Sequence, residues 1–206
     1  MSGQVKANGG GRVRKPLTKP DETRGSPRLG RQDWIDSAWA ALGRGTIEHV
    51  KVDRLARDLK VTRGSFYWHF RDRQDLMDAV LEAWFAVFGL EEAILPRLIG
   101  IDNPVDRLWI VYEHVIRNIT GSQTIALRLW AHRTPRIRER LRREDEKRLR
   151  HYASEFRALK FDPGEAMRRA RTYYGLVMSE YFRNGMLPMR ERLARAREQH
   201  DLLTTI

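Results

Sequence analysis

The chain has 206 residues, a length for one or two domains, and 41% of them are hydrophobic, enough for a real core. It contains no cysteine, which excludes a disulfide framework and a cysteine-ligated metal and fits a reducing compartment. Thirty-nine Lys and Arg against 27 Asp and Glu leave a net charge of +12, which favours a polyanionic partner, nucleic acid ahead of a membrane surface.

Residues 1–30 hold seven cations (Lys6, Arg12, Arg14, Lys15, Lys19, Arg24, Arg28) against Asp21 and Glu22, with no apolar period. They read as a disordered basic arm, either lying along phosphates or in a minor groove, or serving as a solubilising tail. No early apolar segment has the form of a signal peptide. Gly25 to Arg31 is no phosphate loop, since Arg31-Gln32 stands where Lys-Ser/Thr is required.

From Arg31 the pattern turns helical. Trp34, Ile35, Ala38, Ala41 and Leu42 make one apolar face, and Gly43 or Gly45 ends the run. Val52, Leu55, Ala56 and Leu59 recur at i, i+3, i+4, i+7 and predict a second, short helix. A third begins at Thr62, whose hydroxyl suits an N-cap. Val61 before it and Phe66 in its first turn form a hydrophobic staple. That arrangement leaves Arg63, Gly64, Ser65, Tyr67, Trp68 and His69 on or near the free surface. A cation, a glycine permitting close approach and several hydrogen-bonding side chains suit a helix that lies in a DNA major groove. Two short helices joined around Lys60 and Val61 therefore predict a helix-turn-helix. Asp72 is a second N-cap, with Asp75 three residues on, and Leu76, Val80, Ala83 and Val87 mark the buried stripe of a long fourth helix.

The stretch from Val52 to Phe70, followed by Arg71-Asp72-Arg73-Gln74-Asp75-Leu76, resembles the DNA-binding region of TetR-family transcriptional regulators. The likeness rests on the Leu55-Ala56 pair, Val61-Thr62 before the recognition helix, the Tyr67-Trp68-His69-Phe70 ending and the leucine opening the next helix. It spans roughly residues 31–85. Lys60 stands where the family often has glycine, which predicts a looser turn or a lysine held in a strained conformation. Arg73 replaces the usual lysine and keeps its charge with a different hydrogen-bond geometry. The resemblance implies a DNA-contacting set of Thr62, Arg63, Gly64, Ser65, Tyr67, Trp68, His69 and Arg73, to which Lys51, opening the second helix where the family often has a small hydroxyl residue, adds a candidate phosphate contact by its position. In it Arg63 reads bases, while Thr62, Tyr67, His69 and Arg73 hold phosphate.

The remainder shows no strand-like alternation of any length. Pro104, Pro135, Pro163-Gly164 and Pro188 punctuate helices over about 104–120, 122–133, 136–160 and 165–185, and a last one after Pro188. The expected fold is all-α: a three-helix helix-turn-helix domain at 31–75, then a helical effector-binding and dimerisation domain at 76–206, about nine helices in all. The charged run from Arg133 to Arg150 offers Glu139–Arg143, Arg140–Glu144, Glu144–Arg148 and Glu146–Arg150 as i,i+4 pairs, which predicts a solvated face. Ala170, Tyr173, Tyr174, Val177, Met178 and Tyr181 form an apolar and aromatic stripe. It suits a protein interface or an internal core helix alike. The family pairs through its last two helices, so the resemblance favours a homodimer interface there. It also implies that Trp84, Phe88, Trp109, Tyr112, His114 and Trp130 line a cavity for an apolar or planar effector.

Enzymatic chemistry lacks its parts. The six histidines show no metal-ligand spacing, none pairs with a serine nucleophile, and no glycine fingerprint follows a strand. No catalytic residue, metal or cofactor is expected. The most apolar long stretch, Ala79 to Gly100, is interrupted by Glu82, Glu91, Glu92 and Arg97, so no membrane span is expected either. The expectation is a cytoplasmic, ligand-responsive regulator that binds a palindromic operator in double-stranded DNA and that a small molecule releases. The alternative is a basic architectural DNA-binding protein without an effector.

Overall fold

A computed structural model describes residues 29–119, 122–183 and 187–205. The basic arm at 1–28 lies outside the described residues. Among those described there are nine α-helices: α1 Arg31–Leu42, α2 Val52–Asp58, α3 Arg63–Tyr67, α4 Arg73–Phe88, α5 Pro104–Asn118, α6 Gln123–Arg133, α7 Pro135–Ala158, α8 Pro163–Arg183 and α9 Met189–Thr204. The all-helical expectation holds, and its proline and glycine boundaries fall within a few residues of the observed ends.

The first three helices and the start of α4 close over a small aromatic core. Trp34 meets Phe66 edge-on at 5.3 Å, and Phe66 stacks on Phe70 at 5.5 Å. Leu42, Leu55 and Leu76 are fully buried around them. Burying several such side chains, each contributing roughly 1.5–3 kcal/mol, is what holds so short a helix as α3 in place. Asp72 caps α4, its carboxylate accepting from the Asp75 amide at 2.8 Å. Thr62 occupies the N-cap position of α3, but its hydroxyl makes no cap bond.

The turn between α2 and α3 resolves the question at Lys60. Its φ is +58°, in the left-handed region, so the lysine is strained rather than the turn loose. Val61 N–H bonds Ala56 carbonyl at 2.9 Å and Lys60 N–H bonds Arg57 carbonyl at 3.1 Å, the Schellman pattern of a helix end. Lys160 after α7 repeats it, with φ +72° and a Phe161-to-Phe156 bond.

α4 runs from the head into the body. Leu76 and Val80 are buried, but further along Trp84 and Phe88 take the core side while Ala83 and Val87 are half-buried. Gly89 ends the helix, and a Cβ there would collide with the Phe85 carbonyl and the Glu92 carboxylate. A π turn over Leu90–Ile94 and a 3₁₀ turn over Leu95–Leu98 lead to α5. The centre of the body is a tyrosine cluster in which Tyr112, Tyr152 and Phe156 each pack edge-on against Tyr173 at 5.4–5.8 Å.

α7 departs from the expected solvated face. Of the four expected pairs, only Glu139–Arg143 forms in the open. Glu144 and Arg148 do pair at 3.1 Å, but both are buried. Arg140 instead crosses to Glu82 on α4, Glu146 takes Arg142, and Arg136 and Lys147 reach Asp78 and Glu91. Arg136, Arg140 and Lys147 pair off their own helix because α4 and the turn after it already hold those carboxylates close, while Glu146 keeps a partner one turn away.

Candidate nucleic-acid interface

The outer surface of the head carries most of the expected contact set. Tyr67 is 53% exposed and Trp68 88%, an unusual degree for large aromatic side chains on a folded surface. Arg63 stands in solvent. Its Nη2 donates to the Tyr67 hydroxyl at 3.3 Å, and its Nη1 lies 3.4 Å from the Asp53 carboxylate on α2. Both contacts are exposed and weak, so they aim the guanidinium without consuming its charge. Asp53 was not among the expected residues, because nothing in local spacing relates it to Arg63.

Gly64 is open outward, the nearest atom to a Cβ there being Thr62 Oγ1 at 3.7 Å. Thr62 is exposed, while Ser65 and His69 are half-buried beside it. Lys51 sits exposed at the N-cap position of α2. Lys51 and Lys60, together with half-buried Arg54, meet no carboxylate among the described residues. The head thus presents uncompensated positive charge around α3.

Arg73 is placed differently from the rest. Its Nε donates to the Val50 carbonyl at 2.6 Å and its Nη2 to the Ile47 carbonyl at 2.7 Å. The guanidinium ties the loop before α2 to the first turn of α4, which leaves Nη1 as its remaining donor group.

The six expected effector residues do not surround one hollow. Trp84, Phe88 and His114 pack together, with Trp84 Nε1 donating to Thr124 Oγ1 at 3.1 Å. His114 Nε2 donates to the Val87 carbonyl at 2.7 Å while its Nδ1 accepts from Asn118, and burial pushes its pKa down. Trp109 and Tyr112 form a second group beside His200, and Trp130 is buried apart from both. Five of these side chains are buried, and Trp109 packs half-buried against the core.

The expected dimer stripe on α8 needs a similar correction. Ala170, Tyr173 and Val177 are buried inside the single chain, and Tyr181, though buried, lines only a small hollow beside α6. Tyr174 and Met178 are half-buried, held by Asp145 and Arg128. The side of α8 that faces solvent carries Thr172, Gly175 and Phe182 instead, with Phe182 65% exposed.

Among the described residues no helix is long and apolar enough to cross a membrane, and no group of three or more His, Asp or Glu residues could hold a metal ion.

A three-helix head with a solvent-facing, cationic and aromatic third helix defines the helix-turn-helix class, and comparison with known proteins agrees. Residues 35–80 match the model of the bacterial regulatory proteins of the tetR family. Over 69 residues, 34% of this chain, it is 35% identical to the tetracycline repressor protein class E of Escherichia coli. It is 33% identical over 69 residues to the HTH-type transcriptional regulator SrpR of Pseudomonas putida. The match covers 33% and 29% of those two proteins. Beyond the head the likeness is one of fold. The structure of AibR in complex with isovaleryl coenzyme A and operator DNA superposes with a TM-score of 0.65 at 21% identity, covering 84% of this chain and 97% of that one.

Proposed function

We propose that this protein is a sequence-specific transcriptional regulator: a cytoplasmic homodimer that represses from a palindromic operator and is released by a small molecule. The observation that carries the reading is the exposed edge of α3 and its C-cap, where Arg63, Tyr67 and Trp68 face solvent on a head whose sequence matches the tetR model. Arg63 reads a base edge in the major groove, aimed by Asp53 and Tyr67. Thr62, Tyr67 and His69 hold phosphates, Gly64 lets the backbone approach, and Lys51 adds a phosphate contact. Trp68 supplies apolar contact and Ser65 a short hydrogen bond. Arg73 keeps the reading helix in register and offers Nη1 to a phosphate.

The small molecule acts by shifting α4, so that two paired heads no longer fit successive major grooves. It must bind the released form more tightly than the DNA-bound form, because a ligand indifferent to the two states shifts nothing. Support comes from α4 itself, which spans head and body as one helix. A partner chain would meet the solvent side of α8.

In vitro selection from a random duplex library at near-physiological salt tests the reading. The expected result is an enriched palindrome. Arg63→Ala should weaken binding to it by about 1–3 kcal/mol and relax one base position. Binding that is sequence-blind and strongly salt-dependent would support the architectural alternative instead.

A further inference from the structure

The side chains of α7 divide into two stripes. One grips α4: Arg136, Arg140 and Lys147 reach its acidic residues and Glu91, while buried Glu144 accepts from the Leu90 amide at 2.6 Å and Arg148 donates to the Phe88 carbonyl. The other stripe faces a groove against α6 of about 440 Å³, within the size range of small-molecule sites. Its apolar lining is Ala131, Leu141 and Leu149, with Arg138, Arg142 and His132 beside them. Arg128 and His132 also line a smaller hollow of about 110 Å³, completed by Ile125, Leu129, Met178, Tyr181 and Phe182. The two spaces therefore adjoin along α6. None of the six aromatic residues expected at an effector site lines either.

The charges around the groove are unevenly matched. Arg128 is held by both oxygens of Asp145, at 3.0 and 2.9 Å. Arg142 lies between Glu139 and Glu146. Arg138 meets no carboxylate among the described residues, its one bond being a long 3.5 Å contact to the His132 carbonyl. An apolar floor thus ends at one uncompensated guanidinium, with His132 lining the same groove.

We propose that this groove between α6, α7 and α8 is the effector site, and that it takes an amphipathic carboxylate. The carboxylate sits at Arg138 and His132. The aliphatic chain runs over Ala131, Leu141 and Leu149 and past Arg128 towards Leu129 and Phe182. The inference rests on the ligand-responsive reading above and names where and what that ligand is. A chain wedged between α6 and α7 moves the helix whose opposite stripe grips the end of α4.

Calorimetry of the purified full chain with decanoate and with decyltrimethylammonium, equal in tail and opposite in head charge, tests it. Saturable decanoate binding is expected, at least tenfold tighter than the cation. Arg138→Ala should remove most of that preference, and Leu149→Trp, which fills the floor from a half-buried position, should weaken both. Circular dichroism checks that the variants fold. Absence of decanoate binding overturns the proposal, as does equal affinity for both head groups or indifference to both substitutions. A chain whose Phe182→Asp variant turns from dimer to monomer while the wild type binds no decanoate would assign the hollow to a second copy. Binding is read on the free protein, so failure to select an operator would sink the functional reading, and with it the effector role, while the calorimetry would still decide whether the groove binds a carboxylate.

Discussion

In the head, Lys51, Lys60 and Arg63 stand in solvent, and among the described residues only Arg63 pairs with an acid, Asp53, itself exposed. In the body, Arg107, Arg128, Arg148 and Arg192 are folded inward, each against its own carboxylate. The same side chain serves opposite ends. An exposed cation contributes little to stability and remains free for a partner. A buried one must be matched, because an unpaired charge costs far more than the pair gains. The head is built to lend its charge, and the body to keep it.

The strongest way to break that contrast is to unpair Glu144. Arg148→Met should destabilise the protein by about 3–5 kcal/mol in denaturant unfolding, leaving a buried carboxylate without its cation. Adding Glu144→Leu should recover part of the loss, since the remaining defect is the unsatisfied Leu90 amide and Phe88 carbonyl.

A second test uses His200, which is fully buried. Tyr173 donates its proton to the Leu108 carbonyl, so His200 Nδ1 must donate to the tyrosine oxygen at 2.9 Å, which leaves Nε2 without a partner. Protonating Nε2 would bury a charge with no acceptor, and burial lowers the pKa to about 4. The unfolded chain takes up the proton first as pH falls, so this contribution is complete above about 6.5 and is lost on the way down to about 4. The expected loss is about 3 kcal/mol across that window, and His200→Gln should flatten the curve.

Smaller effects should come from the two strained lysines. Lys60→Gly and Lys160→Gly should each raise stability by up to about 1 kcal/mol, relief of the left-handed backbone being offset by glycine's greater freedom when unfolded. Smallest of all, Arg63→Ala with Tyr67→Ala should move thermal stability by less than about 0.5 kcal/mol. A large loss there would mean that α3 is held by its surface rather than by Phe66.

Helix boundaries were legible because their causes are local: Pro104, Pro135 and Pro163 open helices, and Asp72 caps α4 through its own side chain. The pairings of α7 were not. Arg136–Asp78 and Arg140–Glu82 join residues 58 apart in the chain, beyond any i,i+4 pattern. The stripe on α8 was visible, but its destination was not, since core and interface impose the same 3.6-residue period on apolar residues. The aromatic set around Trp84 and Tyr112 was misplaced for a related reason. Residue type marks a side chain as apolar, whereas whether a void adjoins it depends on how neighbouring volumes fill. On α3 the staple fixed which side was buried, so the exposed side followed.

Arg73 has a mechanical consequence. By holding the carbonyls of Ile47 and Val50 it ties the approach to α2 onto the first turn of α4. The 16 residues of α4 make a rod about 24 Å long, so a tilt of about 5° at the Gly89 end displaces the head by roughly 2 Å. With the loop fastened to the rod, α2 and α3 turn with it as one piece, and little of the stroke is lost to slack at the joint.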